Sequence, residues 1–180
     1  NAGILVFSEV VATPEKKVQT ILNLHIHTPV MLCRYFEKKK KKRKQGYILN
    51  VSSISSVMPY PGISLYGPTK TFMRYFSGAL RQEMMPYGVK VTCILPGATE
   101  TGLYDPDKVN LKLAKRLGVM QDAAFVARRS VHALFQGRAE CIPGFLNKLT
   151  VCVLPFVPAF VIQLIHRNTN WIKKGEEALG

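Results

Sequence analysis

The stretch Gly46-Tyr47-Ile48-Leu49-Asn50-Val51-Ser52-Ser53 decides the fold of this chain. After the glycine it is short and mostly apolar, which is typical of a strand buried in a parallel sheet. A second run of this kind, VKVTCIL, covers residues 89–95 and ends in Pro96-Gly97. A helix is predicted between the two runs, from about Leu65 to Met85, because apolar residues recur at every fourth position (Phe72, Phe76, Leu80 and Met84).

Further helices are predicted on both sides of this unit. Thr13-Pro14-Glu15 is typical of a helix start with Thr13 as the N-cap, and Pro29 is expected to kink or break that helix. Beyond Thr101 the pattern predicts helices and loops as far as Phe135. Helices that alternate with strands of about six residues predict an α/β fold with a parallel sheet.

The last part of the chain is far more apolar than the rest. Residues 149–165 read LTVCVLPFVPAFVIQLI, with Pro155 and Pro158 inside the run. The run is shorter than the roughly 20 residues of a membrane-spanning helix. A buried or oligomer-facing segment is the favoured interpretation, and interfacial membrane contact is the alternative.

Composition narrows the class of protein. A chain of 180 residues with 47% hydrophobic and 20% charged residues is expected to form one globular domain. The four cysteines have no Cys-x-x-Cys spacing, which predicts a reducing, cytoplasmic location without disulfides or zinc. His25 and His27 would point in different directions on a helix, so no metal site is expected.

The net charge of +14 is concentrated in one block. Residues 38–44 (KKKKKRK) carry seven positive charges, which leaves 14 − 7 = +7 for the rest. Such a run is expected in solvent at a helix end or loop. Anionic lipid is the alternative partner, and nucleic acid is the weaker one because no aromatic residues interleave the block.

Tyr66 and Lys70 form the pattern with the most chemistry. Four residues apart on the predicted helix, they lie on one face, one turn apart. A nearby cation favours the phenolate, so the pair can exchange a proton with a carbonyl or alcohol oxygen. Ser53 follows the first predicted strand and Pro96-Gly97 the second, and ligands of open α/β sheets bind outside those strand ends.

Four segments resemble, in order and spacing, the motifs of the short-chain dehydrogenase/reductase family. They are Asn1-Ala2-Gly3, Asn50-Val51-Ser52-Ser53, Tyr66-x-x-x-Lys70 and Pro96-Gly97-x-x-x-Thr101. Cys141-Ile142-Pro143-Gly144 and the apolar tail also resemble bacterial DltE-type reductases. The resemblance implies a Rossmann-type doubly wound parallel sheet and a nicotinamide cofactor, NAD(P)(H).

The resemblance also implies roles for individual residues. Tyr66 would be the acid/base, Lys70 would favour its phenolate and bind the cofactor ribose, and Ser53 would polarise the substrate carbonyl. Asn23 would connect Lys70 to solvent through water. The segment Asn1, Ala2 and Gly3 would lie beside the adenosine ribose, and Pro96, Gly97 and Thr101 would border the nicotinamide.

One family feature does not occur in this sequence. No Gly-x-x-x-Gly-x-Gly turn precedes the motifs, so the fold is expected to be N-terminally truncated, lacking the first βαβ units. Residues 1–140 would be the C-terminal portion of the Rossmann domain, and residues 141–180 a helical, apolar extension. A polypeptide beginning at Asn1 is expected to bind the cofactor weakly and to expose a sheet edge.

Three functions are weighed, of which a nucleic-acid binder ranks last because it rests only on the net charge. The first is an NAD(P)-dependent oxidoreductase that interconverts a carbonyl and a secondary alcohol on an apolar small-molecule substrate. It would act as a homo-oligomer, with peripheral membrane contact as a further expectation. The second is a catalytically incompetent fragment, or a module that binds a membrane or a partner through the lysine block and apolar tail.

Overall fold

The computed structural model describes residues 3–6, 8–101 and 120–168. The helices are α1 (Glu15–Leu22), α2 (Thr28–Arg43), α3 (Tyr66–Met84), α4 (Ala123–Phe135), α5 (Phe145–Val153) and α6 (Ala159–Asn168). The strands are β1 (Gly46–Val51), β2 (Val89–Ile94), β3 (Ala98–Thr99), β4 (Met120–Gln121) and β5 (Glu140–Cys141). Both strands and the helix predicted around Tyr66 are confirmed to within one residue at each end.

The central sheet is parallel and has the order β1-β2-β5. β1 pairs with β2 along its whole length, from Gly46 opposite Val89 to Val51 opposite Ile94. β5 adds a two-residue pairing that aligns Glu140 with Cys93. In the part of the chain that the structure describes, no strand pairs with the other edge of β1.

Helices cover both faces of this sheet. On one face α2 and α3 enclose the main apolar cluster, which consists of Cys33, Ile48, Leu80, Met84, Val89 and Val91 with Phe76 packed against it. On the other face the Lys90 ammonium donates to the carbonyl oxygen of Phe135 in α4 (2.7 Å), and the rings of Tyr47 and Phe135 lie 5.1 Å apart. The alternation of side chains along each strand therefore serves two helical layers. The predicted doubly wound α/β fold is confirmed.

The segment before β1 departs from the prediction at Thr13. Its hydroxyl donates to the carbonyl oxygen of Glu9 (2.8 Å), and α1 begins after Pro14 without a side-chain cap, so the predicted N-cap is wrong.

Pro29 does not end the helix, because it lies in the first turn of α2. The helical path instead widens to a π-helix at Asn23–His27, where the Thr28 N–H bonds to the Asn23 carbonyl. A proline lacks an N–H and crowds the preceding turn, which accounts for the wider turn before Pro29.

Helices α5 and α6 form a bent pair, which we call the C-terminal hairpin. A 3₁₀ turn at Leu154–Phe156 joins them, and their axes differ by 115°. Their apolar side chains are largely exposed, with Phe156 at 84% and Phe160 at 69%. The predicted helical extension is confirmed, whereas its burial within the chain is not, because most of its large apolar side chains are exposed in the part of the chain that the structure describes; an oligomer-facing surface stays a prediction.

Within the described residues, no single helix is long and apolar enough to cross a membrane, and the hairpin passes that test only as a bent pair. The lysine block forms the end of α2, next to the start of β1 and therefore at the edge of the sheet opposite the strand carboxyl ends. β5 spans the position at which the sequence predicts the C-terminal extension to begin, and that boundary stays a prediction.

Candidate active site

The carboxyl ends of β1 and β2 are held side by side. The Ser52 N–H donates to the Ile94 carbonyl (2.8 Å), and the Ile54 N–H donates to the Pro96 carbonyl (3.0 Å). Parallel pairing thus continues one step beyond both strands. Ser53 and Pro96 consequently lie at one place, the crevice expected for a ligand in an open α/β sheet.

Ser53 stands at the turn where β1 gives way to a 3₁₀ helix at Ile54–Val57. Its backbone is extended (φ −162°, ψ 159°), and its hydroxyl oxygen accepts a bond from the Ser55 N–H (3.2 Å). The bond uses a lone pair and leaves the hydroxyl hydrogen to be donated. This is the hydrogen that a substrate carbonyl oxygen would accept in the role the resemblance implies for Ser53.

Tyr66 and Lys70 are brought together as predicted, on the first turns of α3. The Lys70 Nζ lies 5.4 Å from the centroid of the Tyr66 ring and donates to the Val51 carbonyl at the end of β1 (3.3 Å). The Ser52 hydroxyl donates to the Lys70 carbonyl (2.6 Å), which fastens this turn of α3 to the strand end. Lys70 is only 6% exposed, and burial lowers its pKa.

At Gly67, α3 packs directly on the turn that follows Ser53. A Cβ atom at Gly67 would lie 3.4 Å from the Ser55 carbonyl oxygen, and the Thr71 hydroxyl donates to the Ser56 carbonyl (2.9 Å). The residues between Tyr66 and Lys70, which are Gly67, Pro68 and Thr69, all lie in the first turn of α3. The serine turn and the Tyr–Lys helix form one packed unit.

The sequence did not identify His25 as part of this site. The ring is 2% exposed, and it packs edge-on against the Tyr66 ring with centroids 5.6 Å apart. Its Nδ1 lies 3.0 Å from the Thr69 hydroxyl, and its Nε2 accepts from the Ile4 N–H (3.2 Å). Burial and then the Lys70 charge lower the pKa of His25 to about 4. Its helical spacing from Val18 and Ile21 was the available signal for burial.

The remaining predicted residues are placed as follows. Asn23 is exposed at the start of the π-helix, where its carbonyl bonds to the Thr28 N–H. Asn1 and Ala2 lie outside the described residues, whereas Gly3 lies against His25 Nε2. Thr101 is exposed, and its hydroxyl donates to the Thr99 carbonyl (3.3 Å). The roles of these residues stay predictions.

Gly97 joins the site to the C-terminal hairpin. A Cβ atom there would come within 2.7 Å of the side-chain amide of Asn147 in α5, so only glycine fits without a shift. The Asn147 amide donates to the Gln121 side chain (3.0 Å) and to the Pro143 carbonyl (2.8 Å). Asn147 and Gln121 had no motif to mark them, since a lone amide in an apolar helix carries no sequence signal.

The fold of this chain is similar to that of several solved structures. A 7β-hydroxysteroid dehydrogenase superposes with a TM-score of 0.75 at 22% identity, covering 85% of this chain and 59% of that one. A short-chain dehydrogenase from Sphingobium yanoikuyae, in complex with NADPH, has a TM-score of 0.69 at 22% identity, covering 81% and 56%. The shared fold is thus that of short-chain dehydrogenases.

The sequence itself gives the family. A family model described as short chain dehydrogenase matches residues 1–110, and the chain belongs to this family. The 3-ketodihydrosphingosine reductase of Bacteroides thetaiotaomicron is 29% identical over 182 residues, covering 96% of this chain and 66% of that protein. The chain spans between 34% and 66% of the length of curated relatives such as these.

Proposed function

We propose that this protein is an NAD(P)-dependent oxidoreductase that interconverts a ketone and a secondary alcohol. The observation that carries the proposal is the buried Lys70 ammonium, 5.4 Å from the Tyr66 ring and fixed to the end of β1. In the reductive direction the Tyr66 phenol donates its proton to the substrate oxygen, while Ser53 donates a hydrogen bond to the same oxygen. The Lys70 charge favours the phenolate that remains.

The residues present fit the nicotinamide end of the cofactor. Lys70 places a cation beside Tyr66 at the carboxyl end of β1, and Pro96 lies next to that strand end, whereas the space beside Gly97 is filled by the Asn147 side chain. When bound, the nicotinamide would supply or accept the hydride. The glycine-rich turn that would hold the pyrophosphate does not occur in this sequence, so the proposal assigns no residue to it.

We further propose that the substrate is a ketone on a long apolar chain. The C-terminal hairpin supports this, because α5 packs on the 3₁₀ turn that follows Ser53 and Asn147 seats it against Gly97. In α6 the His166 ring lies 6.0 Å from the Tyr60 ring of the loop before α3. An apolar surface thus borders the site, and the relative named 3-ketodihydrosphingosine reductase acts, by its name, on a ketone of a sphingoid base.

A series of ketones with increasing chain length tests this proposal. We expect NADPH or NADH oxidation by the full-length protein to show a kcat/KM that rises with each pair of methylene groups, since each buried CH₂ contributes about 0.8 kcal/mol. The gain should come mainly through KM. Equal kcat/KM for short and long ketones would refute the apolar substrate, and no turnover with any ketone would refute the reductase.

Membrane contact is the second proposal, and the composition of the C-terminal hairpin favours it. Residues 145–168 contain no Asp or Glu, and they include Lys148 and Arg167, both exposed. Exposed aromatic side chains with flanking cations are typical of a surface that lies in the headgroup region of anionic lipid. Such a surface beside the crevice would bring a lipid-like substrate to Ser53 and Tyr66.

Vesicle flotation tests this contact. We expect the protein to float with vesicles containing anionic phosphatidylglycerol, and the Phe156→Ser/Phe160→Ser variant to lose most of that binding. Tyr75→Ser is the matched control, because Tyr75 is 75% exposed but belongs to α3 and not to the hairpin. Undiminished flotation of the double variant, or equal loss in the control, would contradict the proposal.

Homo-oligomerisation stays a prediction. Sedimentation velocity would check it, and a monomeric protein would refute it.

A further inference from the structure

A chain of three hydrogen bonds connects the Gly3–Val6 segment to the helix that carries Tyr66. The Ile4 N–H lies 3.2 Å from His25 Nε2, and His25 Nδ1 lies 3.0 Å from the Thr69 hydroxyl. The Thr69 hydroxyl in turn donates to the Tyr66 carbonyl (2.8 Å). Both His25 and Thr69 are only 2% exposed, so the bond between them is buried, and the bonds to Ile4 and Tyr66 are partly buried.

The hydrogens of this chain can be placed by elimination. A backbone N–H only donates, so His25 Nε2 must present its lone pair to Ile4. The single hydroxyl hydrogen of Thr69 is used on the Tyr66 carbonyl, so His25 Nδ1 must donate to the Thr69 oxygen. One neutral tautomer, with its hydrogen on Nδ1, satisfies every partner. A protonated ring would carry a second hydrogen on Nε2, which would point at the Ile4 N–H and replace the hydrogen bond with a contact between two donors.

The electrostatic surroundings agree with a neutral ring. Lys70 from α3 is the charged group that acts on His25, and the Tyr66 ring lies edge-on at 5.6 Å. A second cation at this position would face the Lys70 ammonium within a dry environment, which is costly.

Resting on the proposed function, we propose that His25 is a positioning residue for Tyr66, holding the first turn of α3 against the Gly3–Val6 segment through its Nδ1–H tautomer. Thr69 passes this restraint directly to the Tyr66 backbone, and the edge-on ring contact restrains the phenol itself. A catalytic group displaced by about 1 Å can lose as much as 10²-fold in rate, so this restraint matters for proton transfer. Both ring nitrogens are occupied, which leaves neither to shuttle the proton.

Kinetics of paired variants test the proposal. We expect His25→Phe, which keeps an aromatic ring beside Tyr66 but neither hydrogen bond, to lower kcat about tenfold with the ketone KM within about twofold of wild type. Thr69→Val should lower kcat similarly, and the double variant should be no slower than the slower single one, because both act through one chain of bonds. His25→Gln, which retains an acceptor for the Ile4 N–H, should recover part of the rate.

The proposal would be overturned by wild-type kcat in folded His25→Phe, or by losses that multiply in the double variant. If His25→Phe fails to fold, His25→Gln and Thr69→Val decide on the same criteria. Nitrogen-15 spectra of the His25 ring give an answer independent of catalysis: an Nδ1–H tautomer at neutral pH supports the proposal, and an Nε2–H tautomer overturns it. Full activity of Tyr66→Phe would refute the proposed function but would not test the His25 tautomer. The nitrogen-15 spectra of the His25 ring test that tautomer independently.

The pH dependence of stability gives a second readout. Because the pKa of His25 is about 4 in the fold and about 6.5 in the unfolded chain, the unfolded state binds the extra proton between these values. Stability should therefore fall as pH drops from 6.5 to 4, and the Tm of wild type should fall more steeply over that window than the Tm of His25→Phe. Parallel Tm curves would contradict a buried neutral histidine.

Discussion

Tyr66→Phe is expected to lower kcat for ketone reduction by about 10²- to 10⁴-fold, the range that general acid catalysis supplies. Phenylalanine keeps the ring that packs against His25 and removes only the hydroxyl, so the helix start should remain in place. Steady-state rates with a long-chain ketone measure the loss of proton transfer, and a nicotinamide fluorescence titration measures cofactor binding. We expect kcat to fall by the stated factor while the Kd for the cofactor changes little.

Tyr75→Phe is the matched control for this experiment. It removes the same hydroxyl from an exposed position on α3, and its kcat should equal that of wild type. A Tyr66→Phe protein that is folded, binds cofactor and retains more than about a tenth of the wild-type kcat would show that Tyr66 is not the proton donor.

Lys70→Met is expected to separate activity from stability. Burial lowers the pKa of Lys70, so the charged ammonium is disfavoured inside the fold, and an apolar side chain of similar length removes that cost. One hydrogen bond to the Val51 carbonyl is lost in exchange. We expect the free energy of unfolding at pH 7 to stay within about 1 kcal/mol of wild type.

Activity should respond very differently to the same change. Without the cation beside it, the Tyr66 phenolate is less accessible, so kcat/KM for alcohol oxidation should fall at least about 10²-fold at neutral pH. The remaining oxidation rate should recover as pH rises. Lys90→Met, which removes the ammonium bonded to the Phe135 carbonyl near the amino end of β2, is the control and should leave the rate unchanged. A large loss of stability in Lys70→Met, or an unchanged oxidation rate, would contradict the assigned role.

The elements with strong local patterns were predicted well. β1, α3 and β2 have boundaries within one residue of the prediction. The reason is that the sequence changes from continuous apolar runs, typical of buried strands, to apolar residues at every fourth position, typical of a helix. β5 was missed, since two residues carry no period and its pairing with β2 depends on distant partners. The predicted N-cap at Thr13 was wrong because the Thr13 hydroxyl donates to the carbonyl oxygen of Glu9 instead of accepting from the helix start.

The site divides in the same way. Tyr66, Lys70 and Ser53 were named from spacing and order, and the structure brings them to the carboxyl end of β1. His25 and Asn147 were not named, because each acts through residues far away in sequence: His25 through Thr69, 44 positions on, and Asn147 through Gln121, 26 positions back. Nothing local to a buried histidine or amide reveals such partners.

The sequence by itself determined the local patterns of this protein: strands that must be buried, a phenol and an ammonium one helical turn apart, and an apolar run at residues 149–165. Only the tertiary structure decided how those parts are used. It buried Lys70, brought the His25 ring against Tyr66 and Thr69, and left most of the C-terminal hairpin's large apolar side chains exposed. The physical reason is that covalent order sets spacing along one helix or strand, whereas burial and hydrogen-bond partners depend on which distant segments pack together.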